Sequence, residues 1–396
     1  MRTAALADLL DLSDSGVWGD DDPATGMSVL RSTNFRNDGT LSFDDLAFRS
    51  VEPAKRARKE LAPGDLLLEK SGGGPLQPVG RVALFVGDNR PHAFGNFIAR
   101  LRPNSAIQSE FLWYYLRHFH SQGKTSHYQK QTTGIRNLEF KRYLSIQVPV
   151  RSMNEQRQIV DVLARAEGIV RLRREAQRKA AELIPAIFID MFGDPATNPK
   201  GFPALPLSEV AEVISGVAKG RALDGADCID VPYMRVANVK DGHLDLSEVK
   251  TIQIKRSELP KLLIEPGDLL MTEGGDPDKL GRAALWSGEI ASCVHQNHVF
   301  KVRADRRQVL PVYLRSLASS AYGKRYFLSV AKKTTGIASI NKTQLSAFPI
   351  VLPQLGLQAR FSERVLAVDS ILRQQSDGLT KATQTFEALL HSAFTA

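Results

Sequence analysis

Residues Met153 to Phe192 read MNEQRQIVDVLARAEGIVRLRREAQRKAAELIPAIFIDMF, a stretch with the apolar spacing of a long paired helix. Its apolar side chains recur alternately three and four residues apart, and Arg173 fills one of these slots. Such heptad spacing is typical of a helix that packs along another helix. About 35 helical residues extend roughly 50 Å, which is longer than an ordinary core helix. The seam predicted here consists of Ile159, Val162, Ala166, Ile169, Ala176, Ala180, Leu183 and Ile187.

The same spacing returns near the C-terminus, where Gln375 is the polar slot. We therefore predict that the two stretches pair as antiparallel helices, with Arg173 and Gln375 near the middle of the pair. The predicted residues of this second seam are Phe361, Val365, Val368, Leu372, Gln375, Leu379, Ala382, Phe386, Leu389 and Ala393.

Length and composition set the class of protein. A chain of 396 residues is expected to hold about two domains. The net charge of +9 favours a polyanionic partner, although many basic proteins bind no nucleic acid. No apolar run approaches the roughly 20 residues of a membrane span. Acidic residues near the N-terminus argue against a signal peptide, and the two cysteines, Cys228 and Cys293, fit a reducing cytoplasm, so we expect a cytoplasmic protein.

An internal repeat organises the rest of the chain. Segments of the first half recur in the second half in the same order, which indicates a duplicated unit. The matching segments are Arg31–Asn34 with Arg235–Asn238, Pro63–Leu67 with Pro266–Leu270, Gly80–Leu84 with Gly281–Leu285, Asn96 with Asn297, Tyr115–Arg117 with Tyr313–Arg315, Lys130–Ile135 with Lys332–Ile337, and Ile146–Pro149 with Ile350–Pro353.

Each copy combines short β-like runs with a helical segment such as residues 109–122, and then enters its long helix. The predicted fold class is therefore mixed α/β (α+β), with two pseudo-repeated globular domains bridged by two long antiparallel helices as a coiled coil. The predicted boundaries are 1–150 for the first domain, 151–192 for the central helix, 193–204 for a linker, 205–353 for the second domain, and 354–396 for the C-terminal helix.

The arrangement resembles the specificity subunit of Type I restriction–modification enzymes. The resemblance covers essentially the whole chain. It lies in the duplicated order of the Pro-Gly-Asp turns, the Thr-Thr-Gly-Ile segments, the Met191–Pro195 linker, and the proline-led helix entries at 148–159 and 352–361. It implies that each globular part is a target recognition domain that reads half of a split, asymmetric DNA target.

The resemblance also implies the partners. These are double-stranded DNA, two modification subunits that carry S-adenosylmethionine, and restriction subunits that use ATP and Mg²⁺. The helices would fix the distance between the half-sites and dock the modification subunits. This chain would hold no cofactor and no metal, would have no catalytic centre, and would not enter a membrane.

A stand-alone methyltransferase or nuclease is the alternative. The segment Asn198–Gly201 lacks the second proline and the aromatic residue of a base-flipping methyltransferase loop. Asp65, Glu69 and Lys70 lack the acid-x-Lys element of a nuclease, so a turn that enters a strand is favoured. No phosphate-binding Gly-x4-Gly-Lys-Ser/Thr motif occurs. A coiled-coil scaffold that ignores DNA is a third reading.

The sequence also suggests a metal site at Cys293, His295 and His298, with Cys228 as a possible fourth ligand. The spacing is not that of the usual zinc pairs. The first copy also has Phe94 and Phe97 at the matching places, so we favour no metal.

Basic and amide side chains around the predicted loops are the candidate DNA contacts, because cations bind phosphates and amides read base edges. Asn34 and Asn238 have an equal alternative as caps of the following turn, and the hairpin loops have an alternative as solvated surface. Further cations near the loops are Lys124, Lys141, Arg142, Lys219 and Arg221. The candidates are Arg31, Asn34, Arg36, Lys70, Ser71, Gly72, Arg81, Lys130, Thr132, Thr133, Arg136 and Asn137 in the first domain, and Arg235, Asn238, Lys279, Arg282, Lys332, Lys333, Thr334, Thr335, Asn341 and Lys342 in the second.

Overall fold

The computed structural model forms two units. Unit 1 comprises Met1–Arg174 and Gly378–Ala396, and unit 2 comprises Glu175–Asp377. Thr133 and Thr335 of the predicted DNA contacts lie outside the described residues. Within the described part of the chain, no helix is long and apolar enough to cross a membrane. The structure describes residues 2–74, 77–132, 135–221, 227–276, 279–334 and 336–395.

The globular part of unit 1 is a mixture of short strands and helices. Its strands are β1 Arg2–Ala5, β2 Leu10–Ser15, β3 Met27–Leu30, β4 Ala47–Arg49, β5 Leu66–Glu69, β6 Ser71–Gly73, β7 Val82–Leu84, β8 His92–Phe94, β9 Ile98–Pro103, β10 Gln129–Thr132, β11 Ile135–Leu138 and β12 Gln147–Val150. Its helices are α1 Pro53–Lys59, α2 Ser109–Ser121 and α3 Phe140–Tyr143, and the long helix α4 Met153–Phe192 follows.

The strands of unit 1 build four small sheets. An antiparallel sheet of order β2-β9-β5-β7 carries the core, and β5 is buried along its whole length. A second sheet has the order β4-β3-β8, in which β3 and β8 are parallel. A third has the order β10-β11-β6. Strand β1 pairs with β12, so the first strand lies beside the strand that leads into α4.

Unit 2 repeats these sheets in the same order. Its strands are β13 Ala204–Pro206, β14 Ala211–Ile214, β15 Cys228–Met234, β16 Lys250–Lys255, β17 Leu269–Thr272, β18 Gly274–Gly275, β19 Ala283–Leu285, β20 Val294–His295, β21 Val299–Ala304, β22 Lys332–Thr334, β23 Ile337–Ser339 and β24 Pro349–Val351. Its helices are α5 Leu207–Val210, α6 Leu259–Leu262, α7 Pro311–Ser319, α8 Ala321–Val330 and α9 Lys342–Ser346, and the long helix α10 Leu355–Thr395 follows. The four-stranded sheet has the order β14-β21-β17-β19, and the others are β16-β15-β20, β18-β23-β22 and β13-β24.

A buried glutamine fastens the start of each long helix to its globular part. In unit 1 the Gln156 Oε1 accepts a hydrogen bond from the backbone N–H of Gln108 at 2.8 Å, and its Nε2 donates to two backbone carbonyls. In unit 2 Gln358 makes the same three bonds, beginning with the N–H of Leu310 at 2.8 Å. Both glutamines are fully buried, so these bonds replace water as the partners of the amide groups.

An ion pair makes a second duplicated fastening. Arg117 on α2 donates to Glu167 on α4 at 2.8 Å in unit 1. Arg315 on α7 donates to Asp369 on α10 at 3.2 Å in unit 2. The duplication that the sequence indicates therefore extends to contacts between elements far apart in the chain.

Segments of the two long helices pack together inside each unit. In unit 1, Leu163 and Val170 of α4 share a core with Phe386 and Leu390 of α10. In this unit Arg151, just before α4, donates to the carbonyl of Ala393, late in α10. In unit 2, Phe188 and Phe192 of α4 pack on Phe361 of α10, with ring centroids 5.5 Å and 5.2 Å apart.

The burial pattern follows the predicted seam along α10 and departs from it along α4. None of the ten residues predicted for the α10 seam is exposed. On α4, however, Val162 and Ile169 are 48% and 51% exposed, while Leu163 and Val170 are buried. Leu183 and Ala176 of the predicted seam are exposed as well. The prediction was wrong by one position because two adjacent apolar residues occur at both places, and spacing alone does not choose between them.

Candidate nucleic-acid interface

One small sheet in unit 1 gathers candidates from distant parts of the sequence. Strand β6, from the glycine-rich loop, pairs with β11, which pairs in turn with β10. Asn137 lies opposite both Ser71 and Lys130 in this sheet, and Arg136 lies opposite Gly73. The sequence placed the glycine-rich loop and the hairpin at the DNA separately, and the structure joins them into one surface, which we call the unit 1 face. The described residues of this face are Ser71, Gly72, Gly73, Lys130, Arg136 and Asn137, with the backbone of Thr132.

The equivalent sheet in unit 2 has the same geometry. Lys332, Lys333 and Thr334 form β22, and all three are exposed. Strand β18 pairs with β23 at Gly274 and Gly275. A Cβ on Gly274 would lie 3.0 Å from the backbone oxygen of Ala338, so a residue without a side chain suits this close pairing. We call this sheet, Gly274–Gly275 with Lys332–Thr334 and Ile337–Ser339, the unit 2 face.

Cations project from both faces. The Lys130 side chain is 74% exposed and its ammonium lies 2.7 Å from Glu139. Glu139 also accepts from Arg142 at 3.0 Å, and these bonds, the one from Lys130 first, lower the pKa of Glu139. Since one carboxylate lies between two exposed cations, this edge of unit 1 keeps a positive charge. Such an edge suits a phosphate backbone.

The residue that joins the core sheet to the face is Lys70 in unit 1. Its ammonium donates to Ser15 Oγ at 2.7 Å. Burial, and then the neighbouring charge of Lys59, lower the pKa of Lys70. Lys70 follows β5 directly and precedes β6, so it lies at the margin of the unit 1 face.

Exposed apolar side chains at these surfaces were missed by the sequence reading. Ile135 and Ile337, at the starts of β11 and β23, are 46% and 56% exposed. Phe97 is 42% exposed and lies beside Gly72. The repeated Thr-Thr-Gly-Ile segments were the available signal, because an isoleucine at a hairpin tip has little core to enter. Apolar groups of this kind can contact thymine methyl groups in a DNA groove.

Arg31, Asn34, Arg235 and Asn238 belong to the loop structure and not to an exposed face. Asn34 Oδ1 accepts from the backbone N–H of Arg31 at 2.8 Å, and its Nδ2 donates to two carbonyls across the loop. Asn238 makes the equivalent bonds, and both amides are buried. Arg31 and Arg235 pair with Asp45 and with a glutamate, respectively. The cap alternative therefore accounts for the bonds of both asparagines, and their contact with DNA stays a prediction.

Arg81 is likewise held inside unit 1. Its guanidinium lies 2.8 and 2.9 Å from the two oxygens of Glu69 and donates to two backbone carbonyls. At the matching place in unit 2, Thr272 replaces the glutamate, and Thr272 Oγ1 accepts the backbone N–H of Arg282 at 3.2 Å. Arg81 thus has a structural partner that Arg282 lacks.

The remaining candidates lie on loops and helix ends. Arg36 lies 3.5 Å from Asp44, and Lys279 pairs with Asp276. Asn341 caps α9 by accepting from the N–H of Gln344, and Lys342 is exposed in the first turn of that helix. Among the further cations, Arg221 forms a bidentate pair with Glu258, whereas Lys124 lies over the ring of Phe119, and Lys141 and Lys219 are exposed. Of these side chains, Lys279 lies beside the unit 2 face, since a Cβ on Gly275 would be 3.4 Å from the Cβ of Lys279.

Comparison with known proteins finds similarity to type I restriction specificity subunits. A family model described as the type I restriction modification DNA specificity domain matches residues 27–181. The EcoKI type I restriction enzyme specificity subunit of Escherichia coli strain K12 is 23% identical over 392 residues, which is 93% of this chain and 82% of that protein. Over residues 27–181 the chain is thus similar to a type I restriction DNA specificity domain, and over 93% of its length it is similar to a type I specificity subunit.

Further proteins show the same similarity in sequence or in fold. The putative MjaX type I restriction enzyme specificity subunit of Methanocaldococcus jannaschii is 25% identical over 189 residues, covering 46% of this chain and 44% of that protein. The S subunit of a type I restriction–modification system from M. genitalium has the same fold, with a TM-score of 0.58, 14% identity, and coverage of 99% of this chain and 96% of that chain. A chain from a structural study of type I complex assembly and conformational transition matches at TM-score 0.57 and 19% identity over 99% and 97% of the two chains.

The side chains that the enzyme alternative requires have other partners. Asp65 is 1% exposed and receives two bonds from Arg102, at 2.6 and 2.8 Å. Glu69 is 3% exposed and pairs with Arg81. Asn198 bonds through both its Oδ1 and its Nδ2 to the backbone of Phe202, which closes a turn. Each of these groups therefore has a structural partner within the fold.

The cysteine and histidine residues of the metal alternative are dispersed. Within the described ranges, no three His, Cys, Asp or Glu side chains are arranged to hold a metal ion. Buried His295 donates from Nδ1 to the carbonyl of Val299 at 2.6 Å, and burial lowers its pKa to about 4. Burial raises the pKa of Cys293 to about 12. His298 faces Glu273 instead, with 2.5 Å between Nδ1 and Oε2.

Proposed function

We propose that this chain is the DNA specificity subunit of a type I restriction–modification complex, and that each unit reads one half of an asymmetric split target. The match of residues 27–181 to a DNA specificity domain, and the similarity of most of the chain to a specificity subunit, support a DNA-recognition role. The repeated three-stranded face is the observation that supports recognition of two half-sites by the two units. The same backbone arrangement occurs twice, with different side chains, which is what recognition of two different half-sites requires.

The cations and the strand positions have separate roles in this proposal. Lys130, Arg136, Lys332 and Lys333 bind phosphates and fix the position of each unit on the duplex. Side chains next to the glycine strands contact the base edges. Phosphate contacts supply most of the affinity and its salt dependence, whereas base contacts supply the sequence preference.

The two long helices set the distance between the half-sites. We assign residues 1–150 and 205–353 to the two target recognition domains, 193–204 to a linker, and 151–192 and 354–396 to an antiparallel coiled coil. The heptad seams and the packing of α4 on α10 inside each unit support this assignment. The proximity of Arg173 and Gln375 stays a prediction of the same arrangement.

Two modification subunits dock on the long helices. Ile169 and Ile371, which follow Gln156 and Gln358 by the same number of residues, are 51% and 44% exposed. Large apolar side chains at equivalent exposed places of a duplicated protein suit two copies of one partner. The modification subunits would supply S-adenosylmethionine and the restriction subunits ATP and Mg²⁺, while this chain recognises DNA and performs no chemistry.

A co-purification experiment tests the docking. Ile169→Asp and Ile371→Asp should each remove one modification subunit from the complex, because a carboxylate would enter an apolar contact. Ala164→Asp is the control, since it adds the same charge to an exposed place about 140° around helix α4 from Ile169. Unchanged stoichiometry in both isoleucine variants would contradict the docking.

DNA binding by the full chain tests recognition. The double variant Lys332→Ala/Lys333→Ala should weaken binding to all sequences alike and reduce the slope of log K against log salt by about 2. Arg178→Ala/Lys179→Ala removes two exposed cations of α4 and is the control. A scaffold that ignores DNA would give no salt-dependent binding in any of these proteins.

A further inference from the structure

Lys70 and Glu273 occupy the same place in the two units. The N–H of Lys70 donates to the carbonyl of Phe97 at 2.9 Å, and its own carbonyl accepts from Leu138 at 2.7 Å. The N–H of Glu273 donates to the carbonyl of His298 at 3.0 Å, and its carbonyl accepts from Ile340 at 2.9 Å. Because the backbone bonds are the same, the side chains are exact counterparts. In unit 1 this place holds the cation Lys70 beside Phe97, and in unit 2 it holds the carboxylate Glu273 beside His298.

The carboxylate of Glu273 is held and still accessible. His298 Nδ1 lies 2.5 Å from Glu273 Oε2, and since a carboxylate can only accept, Nδ1 is the donor. Within the described part of the chain, the other oxygen, Oε1, accepts no hydrogen bond. The side chains of Glu273 and His298 are 28% and 56% exposed, respectively. One acceptor oxygen is therefore oriented and open to a ligand.

The carboxylate of Glu273 lies beside a face that carries exposed cations. It directly precedes β18 of the unit 2 face, on which Lys332 and Lys333 are exposed. A carboxylate near DNA phosphates is repelled by them, so it weakens non-specific binding. It becomes favourable where a base presents an amino group, and glutamate accepts from the N4 amino group of cytosine in the major groove. The arrangement thus suits discrimination between bases more than affinity.

We propose that Glu273 is a specificity-determining residue that accepts a hydrogen bond from the N4 amino group of a cytosine in the half-site of unit 2, with His298 as its positioning residue. Lys70 is its counterpart in unit 1, where a donor selects the O6 and N7 acceptors of guanine. The inference rests on the proposed function, because it names the base that one of the two faces reads.

Sequencing of selected DNA tests this directly. The full chain, assembled with its modification subunits, is used to select from random DNA duplexes, and the variants are Glu273→Gln and Glu273→Lys. In Glu273→Gln we expect the preference for one cytosine, in one half-site only, to fall about 10- to 100-fold. Lys332→Ala/Lys333→Ala should leave the base preference of that half-site unchanged. Glu273→Lys should move that preference toward guanine, and the other half-site should stay unchanged.

A matched carboxylate controls for charge. Glu289 is exposed in unit 2 and accepts from the backbone of Ser287. It follows strand β19 near the end of β17 remote from Glu273. Glu289→Gln should leave the selected sequences unchanged. Non-specific affinity should not fall in Glu273→Gln, because that variant loses a negative charge.

His298→Phe introduces the residue that unit 1 has at this place, so the backbone accommodates it. Loss of the Nδ1 donor should reduce discrimination at the same cytosine without changing the other positions or the melting temperature. A wild-type motif from both Glu273→Gln and His298→Phe would overturn the inference while leaving the proposed function standing. Absence of any split motif from the wild-type complex would instead overturn the proposed function.

Discussion

Unit 1 places Lys70 and Phe97 where its core sheet meets its face, and unit 2 places Glu273 and His298 at the same backbone positions. By contrast, the contacts that hold each globular part on its long helix are nearly the same. Gln156 and Gln358 make the same bonds. The duplicated protein has therefore kept its scaffold and changed the side chains of its faces. Under the proposed function, this difference lets one architecture read two unlike half-sites.

One buried position departs from this rule. Arg81 pairs with Glu69 in unit 1, whereas Arg282 lies beside Thr272 in unit 2. The same residue type thus pairs with a buried carboxylate in unit 1, whereas a threonine stands in place of that carboxylate in unit 2. Comparison of the two arginines is the sharpest stability test of the scaffold.

Arg81→Ala should destabilise unit 1 by about 3–5 kcal/mol, because it leaves the buried carboxylate of Glu69 without its partner. Arg282→Ala should cost less than about 1 kcal/mol, since Ala keeps the backbone bond to Thr272. Hydrogen exchange of the strands in each unit measures both effects. The control is Glu69→Thr/Arg81→Ala, which removes the buried charge and should recover most of the loss. Equal costs for the two arginines would contradict the distinction.

The glutamine fastenings should be equally important. Gln156→Ala and Gln358→Ala each leave buried backbone groups unpaired, and each should cost about 3 kcal/mol. The loss should appear as faster hydrogen exchange at the start of α4 in one case and of α10 in the other. A cost that differs by more than about 1 kcal/mol would show that the two fastenings are not equivalent.

Acid should weaken unit 2 through His295, which corresponds to Phe94 of unit 1. The folded-state pKa of about 4 is below the ordinary value of 6.5, so the unfolded state binds the proton more readily. Neutral His295 therefore contributes its full stabilisation above the unfolded-state pKa of 6.5, and this contribution is lost as the pH falls toward the folded-state pKa of about 4. From about pH 7.5 to about pH 5 the loss is about 2 kcal/mol.

His295→Phe should remove this part of the pH dependence. The groups that act on His295 are the carbonyl of Val299 and the charges of Lys301 and Asp268, and none of them is changed by the substitution. Urea unfolding at the two pH values, followed by hydrogen exchange in β17 and β20, provides the measurement. An unchanged pH dependence in the variant would locate the acid sensitivity elsewhere.

The sequence predicted the features that depend on local spacing or on repetition. The α10 seam, the duplicated units and the mixed α/β class follow from such patterns. The α4 seam was displaced because Val162-Leu163 and Ile169-Val170 are adjacent apolar pairs. Pairing of β6 with β11 joins segments about 65 residues apart, and nothing local specifies such a pairing.

The candidate site was predicted in part for a related reason. A search for cations found Lys70, Lys130, Lys332 and Lys333. It also selected Arg81, whose partner Glu69 is close in space and became evident only in the fold. The same search passed over Glu273, because a single carboxylate has no cationic signal and its relation to Lys70 depends on matched backbone bonds.

An exchange of faces tests the central account most directly. In the full chain, residues 273–275 and 332–339 are replaced by the sequences of residues 70–72 and 130–137, and the variant is expressed with its modification subunits. The methylated sites in the host genome are then mapped. We predict that the bases of the second half-site change toward those of the first, while the first half-site and the spacer length stay the same. An unchanged second half-site, or an altered spacer with the original bases, would contradict the claim that the faces read the sequence and the helices set the distance.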